Sequence, residues 1–257
     1  MRTPFTVVFL SALAAIGVCA ASAHAELTLW MKYYYEGVDA LDAARYAQAE
    51  TLLLAAKREA AITLPQENFR LAWTLDALGQ AYTAQGRYDE AEKSLAAALA
   101  MKKNVLGPHQ REIPKTIVNL GDLYLASGQY DKVAREYRHA LLILATDQTS
   151  LYVCRSLNGL ASLYGHEGKT VEAEALLRRA VGVHERADRR THPHMAATLA
   201  NLAKLCAEQG RDDEALCLYD KAVSIQEKAL PADHPERIAS RDARCALRER
   251  AARKTGA

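Results

Sequence analysis

Small residues recur along this chain at a nearly constant interval of 42 residues. They stand at Gly37, Gly79, Gly121, Ala161 and Ala203, and one interval is shortened to 40 residues. Each is followed by a second small or short apolar residue twelve positions later and by an alanine nineteen positions later. A period between about 20 and 50 residues is typical of solenoids, whose units bury their apolar faces only by stacking. The interval therefore predicts five stacked units.

The second unit indicates what each unit folds into. Leu75, Leu78 and Tyr82 follow the i, i+3, i+7 spacing of a helix that buries one stripe, and a similar stripe returns after Gly86. A glycine at that point can adopt the left-handed conformation that ends a helix. Each unit is therefore predicted to be two antiparallel helices joined by a tight turn, which makes the fold class all-α.

The first 25 residues lie outside the repeats and have the composition of an export signal. Arg2 precedes an apolar run over residues 5–21, and Ala23 and Ala25 supply the small-x-small pattern of a cleavage site. We expect cleavage between Ala25 and Glu26. The protein would then be periplasmic or secreted, most simply in a Gram-negative bacterium, with no membrane span after cleavage.

The charge balance argues against a nucleic-acid partner. The chain has 33 Lys and Arg against 31 Asp and Glu, and the two signs alternate along the predicted helices. Proteins that bind nucleic acids usually carry a basic face or stripe. We therefore expect no nucleic-acid partner and a solvated helical surface.

The five cysteines leave two questions open. Cys19 lies in the predicted signal, where a lipid anchor, or an uncleaved N-terminal anchor, is the less favoured alternative. Cys154, Cys206, Cys217 and Cys245 have no metal-site spacing, and Cys206 and Cys217 stand at apolar packing positions. We interpret most of them as packing residues. A disulfide among Cys206, Cys217 and Cys245 remains the alternative in an oxidising compartment.

The order of residues within each unit resembles the tetratricopeptide repeat. Asn201-Leu202-Ala203-Lys204-Leu205 is similar to the core of the 42-residue variant found in kinesin light chains, and Asp233-His234-Pro235 is similar to its linker. The linker at residues 145–150 departs from that pattern because it has no His-Pro. The resemblance covers the whole mature chain. It implies a right-handed α-solenoid of stacked antiparallel helix pairs and no motor function.

The predicted organisation is a signal peptide followed by a solenoid with atypical ends. The boundaries are 1–25 for the signal peptide, 26–257 for the solenoid, about 26–64, 65–107, 108–147, 148–190 and 191–232 for the five repeats, and 233–253 for a capping helix. Aromatic residues from Trp30 to Tyr35 replace the leucine pattern in the first unit. Terminal units of solenoids are expected to differ in this way. Core packing is the preferred interpretation of the aromatic residues, and a docking patch is the alternative.

The resemblance implies that the first helices of successive units line a concave groove for a peptide or protein subunit. It implies ligand contacts for Asn119 and Asn201, with Asn158 beside the matching position in the fourth unit. An amide both donates and accepts, which suits a peptide backbone. The other groove positions would be Trp73, Asp76, Gln80, Lys115, Asp122, Arg155, Ser162 and Lys204. The cations among them would tolerate an acidic segment or a C-terminal carboxylate. Alternatively, these residues are only the solvated side of the first helices.

The motifs of catalysis do not carry through. Residues 165–170 end like a phosphate-binding loop, but the first glycine is replaced by Leu163 and a helix stands where a strand is required. His184, Glu185, His192 and His194 could be imagined as metal ligands, yet the His192-Pro193 pair fits the linker. No nucleophile elbow or metalloprotease motif is present.

The sequence therefore predicts a non-catalytic scaffold or adaptor of the bacterial envelope, without cofactor or metal, that binds a peptide or protein. An alternative is a self-assembling structural component that oligomerises through the N-terminal cap. An enzyme with an unrecognised site is the least favoured alternative.

Overall fold

The chain folds into stacked helix pairs, as the sequence period predicts. The computed structural model describes residues 29–63, 69–105 and 112–255, and within them there are eleven α-helices and no strand. The helices are 29–42 (α1), Tyr46–Thr63 (α2), Phe69–Ala84 (α3), Tyr88–Val105 (α4), Ile113–Ala126 (α5), Tyr130–Ile143 (α6), Leu151–His166 (α7), Thr170–Arg186 (α8), Pro193–Glu208 (α9), Asp212–Ala229 (α10) and Pro235–Thr255 (α11). The predicted cleavage point at Ala25 and Glu26 lies outside the described residues.

Glycines make the turn inside each pair. Gly86, Gly128, Gly168 and Gly210 all have φ between 72° and 78°, the left-handed conformation in which only glycine is unstrained. The first unit has Ala44 at the same register with φ of 58°. The turn is therefore retained there at the cost of strain that the glycines avoid.

Histidines begin two of the helices that follow a linker. The Nδ1 atom of His192 accepts a hydrogen bond from the N–H of His194 at 3.2 Å, and the Nδ1 atom of His234 accepts one from Glu236 at 3.3 Å. Each histidine precedes the proline that opens its helix, a position where proline loses no hydrogen bond. In the linker without His-Pro, the Ser150 side chain caps α7 instead.

The small positions at the 42-residue interval are contact points within the pairs. A Cβ atom added at Gly37 would lie 2.8 Å from Cγ of Leu53, and one added at Gly121 would lie 2.6 Å from Cε1 of Tyr137. Both distances are too short for a real Cβ atom. The two helices of these pairs therefore approach as closely as glycine allows.

The first helices of successive pairs line the inner side of the array. Helices α3, α5, α7 and α9 contact one another in order, whereas α4, α6, α8 and α10 pack behind them. Apolar clusters run along the whole stack between the two layers. In the described part of the chain, no helix combines the length and apolar character needed to cross a membrane.

Two cysteines pack as expected and two do not. Cys154 and Cys206 are buried, whereas Cys217 and Cys245 are exposed, and all four are free thiols. The expectation of a packing position is wrong for Cys217, because it lies on the outer side of α10 in a groove between α8 and α10.

Candidate functional site on the concave face

A cavity of about 710 Å³ lies on the inner side of the array, between its two ends. The inner helices contribute Gln80, Asn119, Asp122 and Arg155 to its wall. The end of α1, the start of α9 and the linker before α11 supply the remainder, including Asp39, Asp42, His192, His194, His234 and Glu236. Four of the predicted groove residues therefore meet at one site. The curvature of the stack brings the first and fifth units to its opposite sides.

Arg155 occupies the middle of this site. Its guanidinium forms an ion pair with Asp122 and donates a hydrogen bond to Oδ1 of Asn119 at 2.9 Å. The Tyr137 hydroxyl donates to the same Asp122 carboxylate at 2.5 Å. Burial lowers the pKa of Arg155, but the adjacent Asp122 raises it by more. The cation is thus held in place and largely neutralised by its neighbour.

Asp76 and Asn119 are buried, contrary to the expectation that they face a ligand. Asp76 is 0% and Asn119 is 1% exposed. The Asn119 amide donates to Oδ1 of Asp76 at 3.0 Å, and the Lys102 ammonium donates to Oδ2 at 3.1 Å. Lys102 also donates to Thr116 at 2.8 Å, and Lys115 lies 3.8 Å from Asp76 at the edge of the cluster. The polar groups of Asp76 and Asn119 are therefore engaged inside the protein.

The other predicted asparagines lie further along the array. Asn158 donates to the Thr198 hydroxyl at 2.7 Å and accepts from Asn201 at 3.4 Å. Asn201 and Lys204 line a separate cavity of about 300 Å³, together with Ser162. The predicted groove residues therefore divide between two sites, and only the first joins both ends of the array.

Trp73 belongs to an aromatic cluster at the start of the array. Its ring centroid lies 6.3 Å from that of Trp30 and 5.0 Å from that of Phe69. Trp30 and Tyr34 are buried, as the core-packing interpretation predicts, whereas Tyr35 is exposed. Most of the aromatic opening of the solenoid is therefore part of its core.

Buried polar residues between units are what the sequence reasoning missed. Lys102, His184 and Gln226 occupy the same register in their units and are all 0% exposed. Lys102 contacts Thr116, and the Nε2 atom of His184 lies 3.4 Å from the Thr198 hydroxyl. The signal available in the sequence is the register itself, because polar residues recur 23 positions after the small residue.

His184 makes the stability of the protein depend on pH. Burial, with a smaller contribution from Arg189 and His192, lowers the pKa of His184 to about 4. The unfolded chain therefore takes up a proton near pH 6.5 that the folded chain refuses, so stability is complete above that pH and is lost as the pH falls. Between pH 7 and 4.5 we expect this residue to cost about 2 kcal/mol.

The pH effect can be isolated with one substitution and one control. We expect His184→Gln, which introduces the residue that the fifth unit has at this register, to remove that part of the change in urea midpoint between pH 7 and 4.5. The exposed His139 serves as the control, and His139→Gln should leave the difference unchanged. Equal pH dependence in the parent and in His184→Gln would contradict the assignment.

Carboxylates form the opposite side of the central cavity. Partial desolvation raises the pKa of Asp42, with a further increase from Asp39, while Lys115, His192 and Arg155 act in the opposite direction. Desolvation also raises the pKa of Glu236. In the described chain no ion pair involves Asp39, Asp42 or Glu236. The cavity is therefore bipolar: its cation is paired, whereas three of its carboxylates are not.

The described residues contain no group of three His, Cys, Asp or Glu side chains placed to hold a metal ion. The histidines considered as ligands in the sequence have other surroundings. His192 caps a helix, and His184 is buried against Thr198.

Comparison with known proteins gives one family. The sequence profile of the tetratricopeptide repeat matches residues 70–144 and 152–228. No curated protein matches the sequence. The two matched ranges together span more than half of the chain and include all helices from α3 to α10.

Solved structures of low sequence identity share the fold. A Podosopora anserina protein with kinesin light chain TPR-like repeats is 24% identical, with 71% of this chain and 88% of that chain covered and a TM-score of 0.53. A thermophilic TPR protein of Thermus thermophilus is 21% identical over 83% and 98% of the two chains, with a TM-score of 0.60. Aspartyl phosphate phosphatase F from Bacillus subtilis is 15% identical over 86% of this chain and 56% of that chain, with a TM-score of 0.65.

Proposed function

The chain belongs to the tetratricopeptide repeat family, and on that premise we propose that it is a non-catalytic scaffold whose concave cavity binds a peptide segment of another protein. Proteins with this fold generally serve protein–protein interactions. The observation that carries the proposal is the central cavity, where charged and amide side chains from both ends and the middle of the array converge. A site assembled from rigid helices reduces the entropy that must be lost on binding.

The charges of the cavity favour a segment that carries a basic side chain. Arg155 is already paired with Asp122, so it has little attraction left for an acidic ligand. The carboxylates of Asp42 and Glu236 have raised pKa values because they are partly desolvated. A lysine or arginine of the ligand placed between them would supply the missing positive charge. The backbone of the same segment would find donors and acceptors on Gln80.

The cellular setting of the proposal is the bacterial envelope. It rests on the basic, apolar and small-x-small order of the first 25 residues. Mass spectrometry of the protein recovered from the periplasm or the medium should find Glu26 as its first residue. A chain recovered with residues 1–25 still attached, in the cytoplasm, would contradict the export proposal.

Site-specific cross-linking tests the cavity as the binding site. A photoreactive amino acid at Gln80, inside the cavity, should capture a partner in the cell envelope, and the cross-linked peptide should contain a lysine or arginine. The matched control is the same probe at Val171, which is 75% exposed on the outer helix α8. Capture at Val171 but not at Gln80 would show that the concave cavity is not the site.

Removal of the acidic wall should weaken binding of the captured segment. We expect Asp42→Asn with Glu236→Gln to raise its dissociation constant at least tenfold, about 1.4 kcal/mol, because a basic side chain loses its counter-charges. Asp131→Asn with Glu227→Gln changes two exposed acidic residues on outer helices and should leave affinity unchanged. Isothermal titration calorimetry would measure both, and identical affinity in the two double variants would refute the acidic wall.

A further inference from the structure

The C-terminal helix α11 has a face that no described part of the chain covers. The helix packs on its neighbours through Ser240 and Leu247, which are each 5% exposed. Its register places Cys245 where earlier first helices have their small contact residue, 42 positions after Ala203. In those units the second helix of the pair covers this side. The uncovered side, here called the terminal face, comprises Ile238, Arg241, Asp242, Cys245, Arg248, Glu249 and Ala252.

The terminal face cannot accept another repeat of the same kind. Arg241 and Arg248 occupy the registers at which the second unit has Leu75 and Tyr82, two residues buried in its core. A further second helix would bury both guanidinium groups against an apolar stripe, and buried charges without partners are strongly unfavourable. The face therefore ends the solenoid and requires a polar partner.

The charges of the terminal face are complementary to themselves. Arg241 and Glu249 lie four residues before and after Cys245, and Asp242 and Arg248 lie three residues before and after it. If a second α11 lies antiparallel with the two-fold axis at Cys245, Arg241 of each copy meets Glu249 of the other. In the same arrangement Asp242 meets Arg248. A parallel arrangement would instead place equal charges opposite each other.

We propose that two copies of this chain associate through the antiparallel pairing of their terminal faces. The pairing is isologous, since one surface serves both copies. Within one chain the same side chains make exposed pairs, with Arg248 2.8 Å from Asp220 and Arg253 3.5 Å from Glu249. Solvent-exposed pairs exchange at little cost, and guanidinium groups can donate to two carboxylates. The association is therefore reversible and weakened by salt.

Sedimentation equilibrium of the full chain between 10 and 200 micromolar, with a thiol reductant, tests the pairing. We expect a monomer–dimer equilibrium whose dissociation constant rises at least tenfold in Arg241→Glu with Arg248→Glu, because all four cross-dimer pairs become repulsive. The fourfold exchange R241E, D242R, R248E and E249R restores complementarity, so it should restore the dimer. Circular dichroism and the urea midpoint confirm that each variant is folded.

Cys245 reports on the geometry, because antiparallel pairing places the two Cys245 thiols opposite each other. With oxidised glutathione, two thiols should lose two protons and two electrons to form one disulfide, while one glutathione disulfide is reduced to two thiols. The covalent dimer should persist in Cys217→Ser, a second exposed cysteine, and disappear in Cys245→Ser.

Three results would overturn the proposal: a parent chain that remains monomeric at 200 micromolar, equal dimerisation by the charge-reversed variant, or a disulfide dimer that depends on Cys217. None of the terminal-face residues lines the central cavity. Failure of the dimer would therefore leave peptide binding at the cavity untouched, and the two proposals fail independently.

Discussion

Replacing Asp76 by alanine is expected to lower the free energy of unfolding by about 4 kcal/mol. The reason is Lys102, whose ammonium lies 3.1 Å from the Asp76 carboxylate while both side chains are 0% exposed. The substitution leaves that ammonium buried without its counter-charge and removes the acceptor of the Asn119 amide. Urea denaturation at pH 7 would measure the loss. Asp131→Ala, at an exposed carboxylate on an outer helix, is the control and should change stability little.

The removal of both charges should cost far less than the removal of one. In Asp76→Ala with Lys102→Met no unpaired charge remains, so we expect at least 2 kcal/mol of the loss to be recovered. Burial already lowers the pKa of Lys102 in the parent. In the single variant that pKa should fall further, so stability should rise as the pH is raised from 7 towards 10, where the unfolded chain still binds the proton. Additive losses in the double variant would contradict the ion pair.

Replacing Gly159 by alanine is expected to lower the free energy of unfolding by about 3 kcal/mol. A Cβ atom at Gly159 would lie inside the van der Waals radius of the Tyr137 ring, which is 0% exposed and cannot swing into solvent. The same ring already packs against Gly121. Overpacking at this point should therefore outweigh the gain in helix propensity, which is about 1 kcal/mol.

The clash predicts its own rescue. Leu53, Leu95 and Leu177 stand at the register of Tyr137 in other units. We therefore expect Gly159→Ala to be much less costly in a Tyr137→Leu background, with a coupling free energy of about 2 kcal/mol measured by urea denaturation. Gly182→Ala is the matched control in a helix, because its Cβ would meet only the Arg186 guanidinium, at 3.4 Å. It should stabilise the protein slightly, and equal losses at both glycines would exclude the ring as the cause.

The pairing of Gly159 with Tyr137 also explains a gap in the sequence pattern. The register that holds Asn119 and Asn201 has Gly159 in the fourth unit, and from the sequence this is only a missing asparagine. The structure shows that the Tyr137 ring fills the space and that its hydroxyl reaches Asp122. One enlarged side chain in the third unit has therefore removed a polar position from the next unit.

Lys102 illustrates the opposite error. It stands beside Lys103 near the end of α4, and in the sequence the two residues look like equal solvated cations. The structure exposes Lys103 and buries Lys102 against Asp76 and Thr116. The partners are 26 and 14 residues away in the chain, so only the stacking of units reveals the difference.

The sequence by itself determined the helix pairs, their turns and their stacking order, because apolar stripes, turn glycines and the 42-residue period are local signals that survive in every unit. It also indicated which helices line the concave face and that Gln80, Asp122 and Arg155 belong to it. The tertiary structure decided that Asp76 and Asn119 are buried, and that the end of α1 meets the linker before α11 across one cavity. Such closure depends on small changes of angle at each contact, as where Tyr137 replaces a leucine, and these accumulate over five units.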